Sequence, residues 1–142
     1  MRSDEMPHVE KDLVQVGASS ASRDILTRLK EAGHIADFQD GYRLAIAVAI
    51  GFGREPKLAA SDVERKTMFA VGNLDPDSAL REAIKEIYPP ARAIPARAAE
   101  DLAEQGLQII KDRMQGDEIL FTELLEKVKD ANASGPGAGS SD

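Results

Sequence analysis

Apolar positions recur with a helical period along most of this chain, and the pattern predicts five helices. Ser19, Ser20 and Ser22 offer N-caps to a first helix over about residues 21–32, striped by Ile25, Leu26 and Leu29. Gly33 supplies the left-handed residue that stops it. Asp37 caps a second helix, in which Phe38, Tyr42, Ala45, Ile46 and Ala49 share one face. Leu44, Val48 and Ile50 widen that face until the segment is apolar on every side, so other parts of the protein or a second copy must cover it. Asp75-Pro76 opens a third helix running to Ile87, with Asp as cap and Pro at the first helical position. Pro95 opens the fourth and longest, to about Met114, packed through Ala99, Leu102, Ala103, Gly106 and Ile110. A fifth spans about residues 117–129, with Leu120, Leu124, Leu125 and Val128 inward.

Two short stretches break this period. Leu13–Val16 alternates and predicts a strand, and Lys66–Gly72 predicts a strand or an extended segment. The expected fold class is therefore mainly α: about five helices around one core, with one or two short extended segments. Residues 1–12 are polar and predict a flexible arm, residues 13–129 a single helical domain, and residues 130–142 a disordered tail rich in Gly and Ser.

Composition sharpens this picture. Only six of the 142 residues are aromatic, so aliphatic side chains and Ala must fill the core, which suits helix-on-helix packing. The net charge is −7 and uneven: residues 1–72 carry 11 acidic and 10 basic side chains, and residues 73–142 carry 14 and 8. An acidic protein is a poor general ligand for nucleic acid or an anionic membrane, although the near-neutral first half leaves room for a basic patch. Cysteine is absent, which excludes disulfides, thiolate nucleophiles and Cys-based zinc sites. The Leu44–Phe52 run is too short to span a bilayer, and charges interrupt the first 30 residues, so a cytoplasmic location is expected.

No catalytic constellation emerges. His8 and His34 are the two histidines, and no set of three convergent metal ligands accompanies them, so no metal or cofactor is expected. Ser19, Ser20 and Ser22 stand where capping alone would place them, and the acidic pairs Asp37/Asp40, Asp75/Asp77 and Asp117/Glu118 all fall at helix starts, where the dipole favours negative charge. Gly51-Phe52-Gly53 follows a helix instead of opening one, so it terminates a helix and does not cradle phosphate.

Two resemblances add to this reading. The order strand, helix, glycine turn, helix over residues 11–50 resembles ribbon-helix-helix proteins, in which two chains pair their strands and read the major groove. More of the chain is similar to small accessory proteins of bacterial DNA-phosphorothioation (Dnd-type) defence islands. That likeness rests on Phe38, Tyr42, Ala45, Ala47 and Gly51, then on the run Glu100-Asp101-Leu102-Ala103-Glu104-Gln105-Gly106-Leu107-Gln108-Ile109-Ile110, within residues 35–128. It implies an accessory role in phage defence or in handling modified DNA, with no catalytic residues to carry over.

The function expected from the sequence is a non-enzymatic accessory or adaptor protein acting through protein contacts, as a homodimer and with another defence-system component. Its expected interface is Phe38, Gly41, Tyr42, Ala45 and Ala49, a row that packs either within the chain or between chains. The alternative is a DNA-binding or DNA-sensing module using Arg23, Arg28, Lys30, Arg43, Arg54, Lys57, Arg65 and Lys66.

Overall fold

The computed structural model describes residues 11–59, 63–115 and 118–119. The chain is mainly α, as its periodicity predicts. In order it forms β1 (Gln15–Ala18), α1 (Ser20–Glu31), α2 (Phe38–Gly51), β2 (Lys66–Ala70), the single turn α3 (Val71–Leu74), α4 (Ala79–Ile87), a 3-10 turn (Pro89–Ala91), α5 (Pro95–Asp112), β3 (Met114–Gln115) and β4 (Glu118–Ile119).

Local chemistry sets the helix ends. Ser19 caps α1 by accepting from Ser22 N at 3.2 Å, and Asp37 caps α2 by accepting from Asp40 N at 2.9 Å. Both helices close in the same way. Gly33 and Gly53 sit at φ +85° and +74°, and the next N–H reaches back across the last turn, His34 to Leu29 O at 2.9 Å and Arg54 to Ala49 O at 3.0 Å. This is the Schellman closure, in which a left-handed residue turns the chain so that orphan carbonyls find donors.

The core is built on α2 and α5. Tyr42, Ala45, Ile46 and Ala49 of α2 are fully buried, as are Leu102, Leu107 and Ile110 of α5. The two helices touch backbone to backbone at Gly106, where an added Cβ would run into the Ala45 carbonyl and lie 2.8 Å from Ala45 Cα. The row Gly41, Tyr42, Ala45, Ala49 therefore packs inside the chain and offers no surface to a second copy, and Phe38 is half-buried with the Lys30 ammonium 4.8 Å above its ring. Other parts of the same chain thus cover the small residues of the row: Leu26 and Ile35 at Gly41, and Gly106 of α5 at Ala45.

β1 occupies Gln15–Ala18, later than the expected Leu13–Val16, because its position is set by antiparallel pairing with β2, from Gln15 opposite Ala70 to Ala18 opposite Lys66. That pairing lies within one chain, whereas the ribbon-helix-helix arrangement pairs this strand with a second copy. The third predicted helix also changes shape. Val71–Leu74 turns once to bury Val71 and Leu74, and α4 begins only at Ala79, after Ser78 in the left-handed region at φ 65°. Asp75 still caps α4, from a distance: its carboxylate accepts from Leu80 N at 3.0 Å, Arg81 N at 2.9 Å and Arg81 Nε at 2.9 Å.

The polar arm is anchored at its end. Asp12 accepts from Ala96 N at 2.8 Å and Arg97 N at 2.9 Å, giving α5 the N-terminal acceptor that Ile94 cannot supply. Where a helix is expected from residue 117, Glu118–Ile119 instead pair with Met114–Gln115. The remainder of that helix, residues 1–10 of the arm and the tail over 130–142 lie outside the described residues.

Candidate functional site

One face of α5 carries Glu100, Asp101, Glu104 and Gln105, a spacing of i, i+1, i+4 and i+5 that places the four on one side of the helix. Beside them run the corner between β1 and α1 and the segment leading out of α2. Glu104 sits against the corner: Oε2 accepts from Ser19 N at 2.7 Å, and Oε1 accepts from the hydroxyls of Ser19 at 2.8 Å and Ser22 at 2.9 Å. Glu100 Oε2 accepts from Gly17 N at 2.8 Å, and its Oε1 pairs with Arg65 Nη1 at 2.9 Å. Asp101, buried, accepts from Lys57 N and from Gln105 Nε2, both at 2.8 Å, and from Arg65 Nη2 at 3.3 Å. Gln105 Nε2 also donates to Glu55 O at 2.7 Å.

Each oxygen of the three carboxylates thus has a partner, and most of the partners are backbone N–H groups or hydroxyls of other elements. The arrangement is a clasp that ties β1, α1 and residues 55–57 to α5. Tyr42 closes it from beneath, its hydroxyl donating to Gly17 O at 2.8 Å. Burial raises the Tyr42 hydroxyl well above the usual tyrosine range, and the nearby Glu100 and Glu104 raise it further, so it remains a donor. For Arg65, burial works against the charge, but the hydrogen bond and attraction of Glu100, with Glu104 and Asp101 behind it, outweigh burial and raise its pKa.

On the solvent side the clasp borders a cleft of about 740 Å³ whose wall includes Ser19, Arg54, Lys57, Arg65, Glu104 and Gln108. A smaller hollow adjoins it across Ser19, Ala21 and Val63 and adds Arg23, Glu64 and Lys66. Five of the eight basic residues singled out in the sequence therefore gather round the first turn of α1. Together the two hollows are lined by five cations and three carboxylates. Comparison with family models, with curated proteins and with solved structures gives no match.

The other three basic residues lie elsewhere. Arg28 borders a separate hollow further along α1 with Lys111, and Lys30 stands over Phe38 at the far end of that helix. Arg43 is held by Leu74 O at 2.9 Å, Asp40 at 3.3 Å and Gln39 at 3.3 Å. Within the gathered five, Arg23 Nε donates to Ala18 O at 3.3 Å and Arg65 is held by the clasp, while Arg54, Lys57 and Lys66 are exposed.

The residues that sequence reasoning missed are Glu100, Asp101 and Glu104. Their signal was an acidic row flanking an apolar stripe, which ordinarily means a solvated helix face. Their partners include the backbone amides of Gly17, Ser19 and Lys57, which no residue pattern reveals. Among the described residues, no group of three or more His, Asp or Glu is placed to hold a metal ion, and no helix is long and apolar enough to cross a membrane.

Proposed function

We propose that this protein is a non-enzymatic accessory module that presents the first turn of α1 to the backbone of nucleic acid. One observation carries the reading. In a chain of net charge −7, the surface around the β1–α1 corner gathers five cations against three carboxylates. Phosphate contacts supply most non-specific affinity for DNA, so a local reversal of sign matters more than the overall charge. Arg65 is paired with Glu100 and Asp101 in the clasp, and the exposed Arg54, Lys57 and Lys66 are the cations that face a ligand. This reading takes precedence over a homodimer through α2, since that row is buried within one chain.

The test is fluorescence anisotropy with a labelled DNA duplex at stepped salt. Affinity falls steeply as salt rises, and Arg54→Glu with Lys57→Glu abolishes binding. A flat salt response refutes the reading. The likeness to phosphorothioation accessory proteins adds one arm: a duplex carrying phosphorothioate linkages binds more tightly than its plain counterpart if modified DNA is the ligand.

A second reading, an adaptor that docks on protein, is favoured by Ile87. This side chain is 48 % exposed at the end of α4 and is followed by the exposed Pro89 and Pro90. Exposed apolar clusters mark contact surfaces. Light scattering without DNA decides it: an oligomer that Ile87→Asp dissociates supports this surface, and a monomer in both removes self-association through it.

A further inference from the structure

The segment that carries Arg54 and Lys57 is fixed at successive points along its backbone. Arg54 N donates to Ala49 O at 3.0 Å as the last bond of α2. Arg54 O accepts from the Tyr88 hydroxyl at 2.6 Å. Glu55 O accepts from Gln105 Nε2 at 2.7 Å, and Lys57 N donates to Asp101 Oδ2 at 2.8 Å. Pro56 lies between them, with its own φ restricted by the ring. Three of the four anchors are side chains from other elements, and two of those meet at Asp101, because Gln105 Nε2 is itself held by Asp101 Oδ2 at 2.8 Å. The same carboxylate takes Arg65 Nη2 at 3.3 Å. A single buried acid thus fixes Lys57 directly and, through Gln105, the residue that follows Arg54.

From this geometry we infer that Asp101 is a positioning residue for anion binding: it strengthens the grip of Arg54 and Lys57 on phosphate although its own charge opposes a polyanion. The inference rests on the nucleic-acid reading above and identifies what makes that surface work. Its physical basis is preorganisation. A loop already held in its binding geometry loses less conformational freedom when it binds, and charges that point together make more phosphate contacts than charges on a loose loop. Pure electrostatics predicts the opposite sign. Removing a carboxylate beside a polyanion site reduces the net negative charge by one and should tighten binding.

Asp101→Ala separates the two. The Lys57 amide and Gln105 Nε2 share Oδ2 and Arg65 Nη2 meets Oδ1, and alanine offers none of them an acceptor. Arg65 keeps Glu100, which leaves β2 tethered. Tyr88→Phe is the companion variant: it frees Arg54 O while leaving each carboxylate and every charge in place.

The experiment measures binding of a labelled DNA duplex to wild type, Asp101→Ala, Tyr88→Phe and Arg54→Glu/Lys57→Glu across a salt series, with circular dichroism to show that each is folded. Both positioning variants are expected to bind more weakly. Withdrawing one cation from its phosphate weakens binding about tenfold near 0.1 M salt and lowers the log–log salt slope by about 0.9. The Lys57 amide is expected to exchange with deuterium faster in Asp101→Ala, which shows that the anchor has gone. Tighter or unchanged binding by Asp101→Ala, with wild-type binding still sensitive to Arg54→Glu/Lys57→Glu, overturns the inference and leaves the functional reading intact. Wild type that fails to bind duplex at any salt overturns both.

Discussion

The closeness of α2 and α5 at Gly106 makes a quantitative prediction. Gly106→Ala would ordinarily stabilise a helix interior by up to about 1 kcal/mol through propensity. Here the new methyl meets the carbonyl of Ala45 and lies 2.8 Å from Ala45 Cα, against backbone that has no rotamer to change. Relief requires the two helices to part by on the order of 1 Å, and a gap of that size forfeits a quarter to a half of the dispersion attraction along the seam. That seam includes Ile46, Leu102, Leu107 and Ile110, all fully buried. Overpacking typically costs about 1–3 kcal/mol when side chains can yield, so a backbone clash at the centre of the core should cost roughly 3 kcal/mol net. Two other glycines calibrate the result. Gly33 has open space around it but φ +85°, so Gly33→Ala costs about 1 kcal/mol through backbone strain alone. Gly72 lies in α3 with open space and no positive φ, so Gly72→Ala is neutral or slightly stabilising. Urea denaturation followed by far-ultraviolet circular dichroism should rank Gly72→Ala at or above wild type, then Gly33→Ala, then Gly106→Ala. A Gly106→Ala variant within about 0.5 kcal/mol of wild type would refute the close approach of α2 to α5.

Two further predictions concern titratable groups. Tyr42→Phe leaves the buried Gly17 carbonyl without its hydroxyl donor and should cost about 1–3 kcal/mol in urea denaturation. Because burial and the nearby glutamates raise the Tyr42 pKa in the folded state, its contribution is complete below about pH 10 and is lost as pH rises beyond it; Tyr42→Phe should flatten that alkaline loss, and an unchanged alkaline profile would remove Tyr42 from the account. Burial alone would raise Asp75, but the Arg81 guanidinium and the Leu80 and Arg81 amides outweigh it and lower its pKa. Its contribution is therefore present above the ordinary aspartate pKa near 4 and is lost as pH falls through the lower folded value. The stability gap between wild type and Asp75→Asn should be about 1–2 kcal/mol at neutral pH and should close in acid; a gap that widens in acid would contradict this assignment.

Much of the fold was legible because its signals are local. Ser19, Asp37, Gly33 and Gly53 act within four or five residues of themselves, and each lies at the helix end its sequence position indicates. Pro95 opens α5 for the same reason. Legibility failed where a distant partner intervened. β1 moved to residues 15–18 because β2 fixes its register, and α4 started late because burial of Val71 and Leu74 drew the preceding residues into their own turn. Asp12 gave no sign in sequence of capping a helix more than eighty residues away.

The candidate surface divides in the same way. Its basic residues could be named from sequence, because charge is a property of each residue alone. Arg54, Lys57, Arg65 and Lys66 share residues 54–66, but that Arg23 joins them and that the other three do not could not be read, because they meet only round the start of α1. The sequence by itself determined the helical class, the helix ends and the small-residue row on α2, since side-chain periodicity and capping act over one or two turns. Only the tertiary structure decided that this row packs against Leu26, Ile35 and α5 of the same chain, and that three acids on α5 form a clasp and not a solvated face. Both outcomes depend on where backbone carbonyls and amides from remote segments come to lie, and those groups are identical at almost every residue until the chain has folded.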